Sequence, residues 1–194
     1  LLGRFLAGEP LAGLCDGPIR GALRRIGELW RHEARGILVE HRATDTMLQV
    51  LAKLRDLLAV PDESAPLALG GAAAGDPYLL PSLMAATVLA EVGWRDVNLG
   101  ADVPIEVFAR AIDEYRPALV WVSATVRDQG GGARLLRALA ELGTARRLPI
   151  VVGGQATNAP LVAGRPGIHH LGSMAELAGF ARALLARVGE VRRR

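Results

Sequence analysis

The chain has 194 residues, enough for one or two domains with a buried core, and half of it is apolar although only 4% is aromatic, so Ala, Leu and Val are expected to build that core. The formal net charge of +3 is modest, and the arginine run 192–194 reads as a solvated end rather than a nucleic-acid surface. No apolar run approaches the ~18 residues that span a membrane, no secretory signal is recognisable, and the lone Cys15 excludes an internal disulfide and fits a reducing cytoplasm.

Residues 1–59 read as helical. A helix tail over 1–7 is broken at Gly8-Glu9-Pro10. Gly17-Pro18 are expected to open a second helix, with Ile19, Leu23, Ile26 and Trp30 on one face. Gly36 is expected to separate it from a longer helix over 37–58. There an apolar stripe (Met47, Val50, Leu51, Leu54, Leu58) faces away from Arg42, Asp45, Gln49, Lys53 and Asp56. Short connections make such helices antiparallel neighbours in a bundle. So few helices, in a chain that opens on Leu1 and not on Met, lead us to expect that part of the bundle lies upstream. The segment 61–66 holds two prolines and two acids and reads as a linker. The expected organisation is a helical bundle over 1–60, that linker, and a second domain over 67–194.

From residue 67 strands and helices alternate. Strands are expected at 67–73, 95–99, 118–123, 149–153 and 167–171, and helices at 79–92, 104–115, 131–143, 157–163 and 173–190. This predicts an α/β fold: a doubly wound, five-stranded parallel sheet of order 2-1-3-4-5, preceded by the small bundle. The stretch 118–123 is continuously apolar, as a strand covered on both faces should be.

Ligands in such sheets sit beyond the carboxyl ends of the strands. Three loops should gather there: Gly75-Asp76-Pro77-Tyr78, the stretch 123–132, and Gly153-Gly154-Gln155-Ala156-Thr157-Asn158. All are rich in small and hydroxylic residues, which let a ligand approach the backbone and bond to it. The glycines at 130–132 are placed to receive a phosphate at a helix start. No dinucleotide fingerprint, Walker sequence or nucleophile elbow is present, and His169-His170 are adjacent, so they point apart on a strand instead of sharing a metal. The sequence offers no hydrolase, kinase or oxidoreductase site, and a non-enzymatic role is expected.

These features together resemble the cobalamin-binding modules of methionine synthase, corrinoid methyl-transfer proteins and the light-sensing MerR-type transcriptional regulators of the CarH kind. The resemblance covers nearly the whole chain. It is carried by GDPYLLP (75–81) where the family has G-D-x-H-x-x-G, by the run 97–104, by Ser123-Ala124-Thr125 where the family has S-x-L, and by Val152-Gly153-Gly154. The bundle is similar to that of the light-sensing regulators. It carries IGELW (26–30) and VEHRAT (39–44), and nine residues separate Trp30 from Glu40-His41.

The resemblance implies a flavodoxin-like domain and a cofactor site made by Trp30, Glu40, His41, Asp76, Tyr78, Ser123, Thr125, Gly153 and Gly154, with the first three capping the upper face of cobalamin. It also implies a cytoplasmic regulatory module that meets DNA only through a missing N-terminal domain, forms a homo-oligomer and does not engage a membrane. Two departures stand out. Tyr78 replaces the histidine that ligates cobalt from below, and Pro81 replaces the loop glycine. A phenol with a pKa near ~10 is a poor metal ligand beside a neutral imidazole. In the light sensors a second histidine follows the tryptophan; here Arg31 does, with His32 one step further. Cobalamin without a protein histidine below it, haem or a bilin in the same cleft, and a ligand-free dimerisation or interaction module all remain open at this level. So does a corrinoid methyl carrier.

Overall fold

A computed structural model describes residues 1–30, 34–126 and 131–192. Five strands, β1 (Leu67–Ala72), β2 (Arg95–Asn98), β3 (Leu119–Ser123), β4 (Ile150–Gly153) and β5 (Ile168–His170), form one sheet of order β2-β1-β3-β4-β5. All neighbours pair in parallel, and β1 lies beside β3 as expected. The chain steps from β1 outward to β2, then back past β1 to β3. Strand order therefore reverses between β1 and β3, where a crevice opens beyond their carboxyl ends.

Helices cover both sheet faces. Strand alternation sends Val120 and Val122 to one face and Leu119 and Trp121 to the other. The first face packs on α6 (Ile105–Tyr115) and α7 (Gly131–Arg146) through Phe108, Ile112, Leu136 and Leu139. The second packs on α5 (Leu79–Val92) and α9 (Met174–Arg192) through Ala85, Ala86, Leu89, Leu177 and Ala181. A short α8 (Ala159–Val162) precedes β5, its start capped by the Asn158 side chain, which accepts from Leu161 N–H. Helix α5 is apolar nearly all round because it is buried on two sides. Ala85, Ala86 and Leu89 meet the sheet, while Leu80, Met84 and Val88 meet the N-terminal helices.

Those helices are α1 (Leu2–Leu6), α2 (Leu11–Leu14), α3 (Arg20–Trp30) and α4 (Ala34–Asp56). Two of the expected breaks fall elsewhere. Gly17 and Pro18 do not open a helix; they lie in a π-turn, Cys15–Ile19, that joins α2 to α3 without interruption. The wider turn makes room for a proline ring that would strike a carbonyl in a regular α-helix. Gly36 does not separate two helices either, since α4 already runs from Ala34. Gly36 is buried, and packing there outweighs the ~1 kcal/mol that glycine costs a helix.

The N-terminal helices share a core with α5 and α9, where Leu11, Leu14, Ile19, Leu51 and Leu54 pack on Met84, Val88 and Ala178. Polar ties fix the register. Leu11 N–H donates to Glu91 Oε1 at 2.9 Å. Asp16 accepts from Met174 N–H and Ala175 N–H at 2.9 Å each, capping α9 from across the interface. Arg55 pairs with Asp96 at 2.8 Å. Among the described residues no helix is long and apolar enough to cross a membrane.

Candidate functional site

The loops after β1, β2 and β3 interlock around Asp76. Gly75 turns at φ +78°, a conformation glycine adopts at no steric cost, and its N–H donates to Asp102 Oδ1 at 2.6 Å. Asp102 N–H donates in turn to Asp76 O at 2.9 Å. The Asp76 side chain, 2% exposed, is a buried carboxylate. It accepts from Thr125 N–H at 2.5 Å, from Thr125 Oγ1 at 2.8 Å and from Tyr78 N–H at 3.1 Å. A buried carboxylate needs such donors to offset its lost hydration. Tyr78 is the residue preceding α5, and its side chain is half-exposed.

The loops after β3 and β4 interlock through glycine. Gly154 has φ +109°, and a Cβ on it would lie 2.3 Å from Ala124 O. Ala124 N–H donates to Gly153 O at 2.8 Å, and Ala156 N–H to Ala124 O at 3.0 Å. The missing side chain at Gly154 thus serves the close approach of one loop to the other, while a Cβ on Gly153 would lie 3.0 Å from Leu171 O, after β5.

Between α3 and the strand ends lies a cleft of about 850 Å³, within the ~300–1,000 Å³ usual for ligand sites. Ser123, Thr125, Gly153 and Gly154 form its sheet-side rim, and Pro81, Met84 and Ala85 of α5 one wall. Asp16, Arg20, Leu23 and Arg24 close it from the N-terminal helices, and His170 and Met174 from the β5–α9 side. Arg20 Nη1 reaches Gly172 O at 3.5 Å. Ser123 Oγ is buried in this rim and has no hydrogen-bond partner among the described residues. An unpaired buried hydroxyl costs about 1–3 kcal/mol, so a group that meets it there recovers that cost.

Of the expected site residues, the structure gathers Ser123, Thr125, Gly153 and Gly154 in the cleft wall and ties Asp76 to it through Thr125. Tyr78 lies outside the described lining of the cleft. So do Glu40, which accepts from Thr44 Oγ1 at 3.3 Å, and His41, whose side chain is 75% exposed. Trp30 ends α3, but its side chain, like the whole of Arg31 and His32, lies outside the described residues, as does the 127–130 part of the glycine-rich loop. His169 and His170 do diverge: His169 packs its ring 5.0 Å from that of Phe180, while His170 lines the cleft. Sequence reasoning missed Asp16, Arg20 and His170. The first two look like an ordinary polar helix face until the fold carries them over the strand ends. Strand alternation, which sends the two histidines to opposite faces, is the signal that could have pointed to His170.

No curated protein sequence matches the chain. Solved structures of three cobalt-cofactor proteins share its fold. The monomethylamine corrinoid protein of Methanosarcina barkeri superposes with a TM-score of 0.70 at 19% identity, over 93% of this chain and 86% of that one. The methanol:cobalamin methyltransferase complex MtaBC from Methanosarcina barkeri gives 0.58 at 18% identity, over 93% and 69%. A cobalamin-binding protein from Desulfitobacterium hafniense DCB-2 gives 0.55 at 17% identity, over 90% and 94%. Residues 66–173, which hold the whole sheet and the loops that rim the cleft, match the B12 binding domain family, and the chain belongs to that family of cobalamin-binding domains.

Proposed function

We propose that this chain is the sensory or effector part of a transcriptional regulator, holding cobalamin between its N-terminal helices and its sheet without a protein histidine below cobalt. The residues present fit the body of the ligand. Ser123 Oγ is a buried hydrogen-bonding group with no partner among the described residues, in the rim of a cleft whose opposite wall carries Arg20 and Arg24. Bound there, the cofactor would supply a cobalt centre able to exchange a ligand. The chain's own part is to bury the ligand's apolar surface, bond its polar edge and hold the capping helices over it.

The observation that carries this reading is Tyr78. It stands at the position where the family places a lower-ligand histidine. Its backbone N–H is held by Asp76, whose carboxylate is already bonded to Thr125. A neutral phenol offers cobalt a weak donor, which suits a site that keeps its cofactor better than one that must control metal-centred methyl transfer. The regulator assignment, with its DNA-binding part outside this chain and its assembly into a homo-oligomer, is supported by the IGELW and VEHRAT stretches and the Trp30, Glu40, His41 spacing.

A corrinoid methyl carrier is the second reading, favoured by likeness in fold to the monomethylamine corrinoid protein. Titration with hydroxo- and adenosylcobalamin, followed by visible absorption and by size-exclusion chromatography, separates the two. Uptake of one equivalent without a histidine-coordinated spectrum, and an oligomeric state that changes with adenosylcobalamin, are expected. A histidine-coordinated spectrum with unchanged assembly favours the carrier. Failure of either cobalamin to bind overturns both readings and leaves an interaction module.

A further inference from the structure

A second concave site lies on α7, which covers the sheet face opposite α5 and α9. A groove of about 480 Å³ runs between that helix and the turn 163–167, large enough for a small molecule. The turn is firmly seated. Gly164 and Gly167 take φ of +75° and +81°. A Cβ on Gly167 would lie 3.1 Å from Thr144 N, and one on Gly143 would lie 3.0 Å from Gly167 O, so helix and turn meet backbone to backbone. Thr144 Oγ1 donates to Pro166 O at 3.4 Å.

Arg137, Glu141 and Arg165 line this groove, and none of them has an ion-pair partner among the described residues. Arg137 and Glu141 stand one helical turn apart. Arg24–Glu28 and Arg110–Glu114 have the same spacing and close to 3.5 and 3.8 Å, whereas the pair on the groove stays open. Open charges on a surface are ordinarily solvated and signify little. Arg165 is different: it is half-buried, and its Nε is buried with no partner among the described residues. A buried donor left unpaired carries an uncompensated desolvation cost. A carboxylate that docks on the edge of the guanidinium accepts from Nε and a terminal nitrogen together. A plain anion there would also meet the Glu141 charge. A ligand that brings an ammonium as well satisfies both signs, and Ala140, Ala145 and Pro166 offer apolar contact to a small hydrocarbon side chain. We propose that this groove binds a free α-amino acid with an apolar side chain, its carboxylate on Arg165 with Arg137 beside it, and its ammonium on Glu141. The site stands apart from the cobalamin cleft and does not depend on that reading.

The test titrates the 15N-labelled chain with L-leucine, with N-acetyl-L-leucine, which has no ammonium, and with L-leucinamide, which has no carboxylate, and follows the amide signals by NMR. L-Leucine at millimolar concentration should move signals of residues 137–145 and 163–167 and leave those of the cleft in place. Each derivative should bind at least fivefold more weakly. Arg165→Gln should weaken L-leucine at least fivefold and leave L-leucinamide within twofold. Glu141→Gln should bring L-leucine and N-acetyl-L-leucine within twofold of each other. The same spectra report that each variant is folded. Signals of the groove that do not move, shifts confined to the cleft, a derivative that binds as well as L-leucine, or L-leucine binding unchanged in Arg165→Gln overturns the assignment, and none of these results bears on cobalamin uptake.

Discussion

Asp76 and Thr125, 49 residues apart in the chain, are locked together: the Asp76 carboxylate accepts from the Thr125 N–H at 2.5 Å and from its hydroxyl at 2.8 Å. The bond ties the loop after β1 to the loop after β3, at the point where strand order reverses. The loop that carries Tyr78 is therefore held in place although it offers cobalt no imidazole. Hydrogen bonds to a charged group contribute about 1.5–3 kcal/mol each. Asp76→Ala should lower unfolding free energy by about 3 kcal/mol in urea denaturation, and Asp76→Asn, which keeps one acceptor oxygen, by about half as much. Wild-type stability in Asp76→Ala would contradict this role.

Ser123 should separate stability from binding. Its hydroxyl is buried and has no partner among the described residues, so Ser123→Ala should remove an unsatisfied group and leave the free protein unchanged or slightly more stable. If Ser123 bonds cobalamin as proposed, the same change should weaken cobalamin about fivefold to tenfold, equivalent to ~1–1.4 kcal/mol. Calorimetric melting of the free protein and an absorbance titration read the two effects separately. A marked loss of free-protein stability would show that the hydroxyl has a structural partner.

Gly154 should tolerate no side chain. Its φ of +109° is unfavourable for any L-residue, and a Cβ would meet Ala124 O at 2.3 Å, a backbone atom that cannot turn away. Gly154→Ala is expected to cost about 2–4 kcal/mol, combining backbone strain with displacement of the β3 loop. Gly75, whose added Cβ meets nothing within 4 Å, provides the comparison: its alanine variant should lose only the cost of a positive φ, about 1–2 kcal/mol. Equal losses at the two positions would contradict the packing argument.

Cys15 should be silent as a nucleophile. Burial raises its thiol from the ordinary value of 9.0 to about 12, with the Asp16 and Glu91 charges adding to the effect. Because the folded value is raised, the stabilisation is fully present below pH ~8.5, where the unfolded thiol is still protonated, and is lost as pH climbs toward the folded value. Iodoacetamide at pH 8 should leave the native protein unmodified and label it once unfolded in urea. Unfolding free energy should fall between pH 8 and pH 11 more steeply in the wild type than in Cys15→Ala. Rapid labelling of the native protein would contradict the burial.

Much of this was legible in the sequence, for identifiable reasons. Strand and helix positions from residue 67 onward follow from apolar runs punctuated by Gly and Pro, and strand order follows from the geometry of βαβ crossovers. The N-terminal helices were harder to read. Gly17-Pro18 signals a helix start, yet a π-turn absorbs the proline, and Gly36 signals a break, yet burial holds it inside α4. Local propensity loses there to tertiary packing. The rim residues Ser123, Thr125, Gly153 and Gly154 were found because loops after parallel strands converge on one edge. Asp16, Arg20 and His170 were not found, because their place in the wall depends on how α3 and β5 are brought together.

The central claim, cobalamin in this cleft without a histidine bond to its metal, is tested most directly by electron paramagnetic resonance of the bound Co(II) form. The protein is prepared once with natural-abundance histidine and once with 15N-histidine. An axial nitrogen splits the cobalt lines, and a change of isotope changes that splitting only when the nitrogen belongs to the labelled residue. The account predicts identical spectra from the two preparations. A splitting pattern that changes with the 15N label would show that a histidine of the protein is bonded to cobalt and would contradict it.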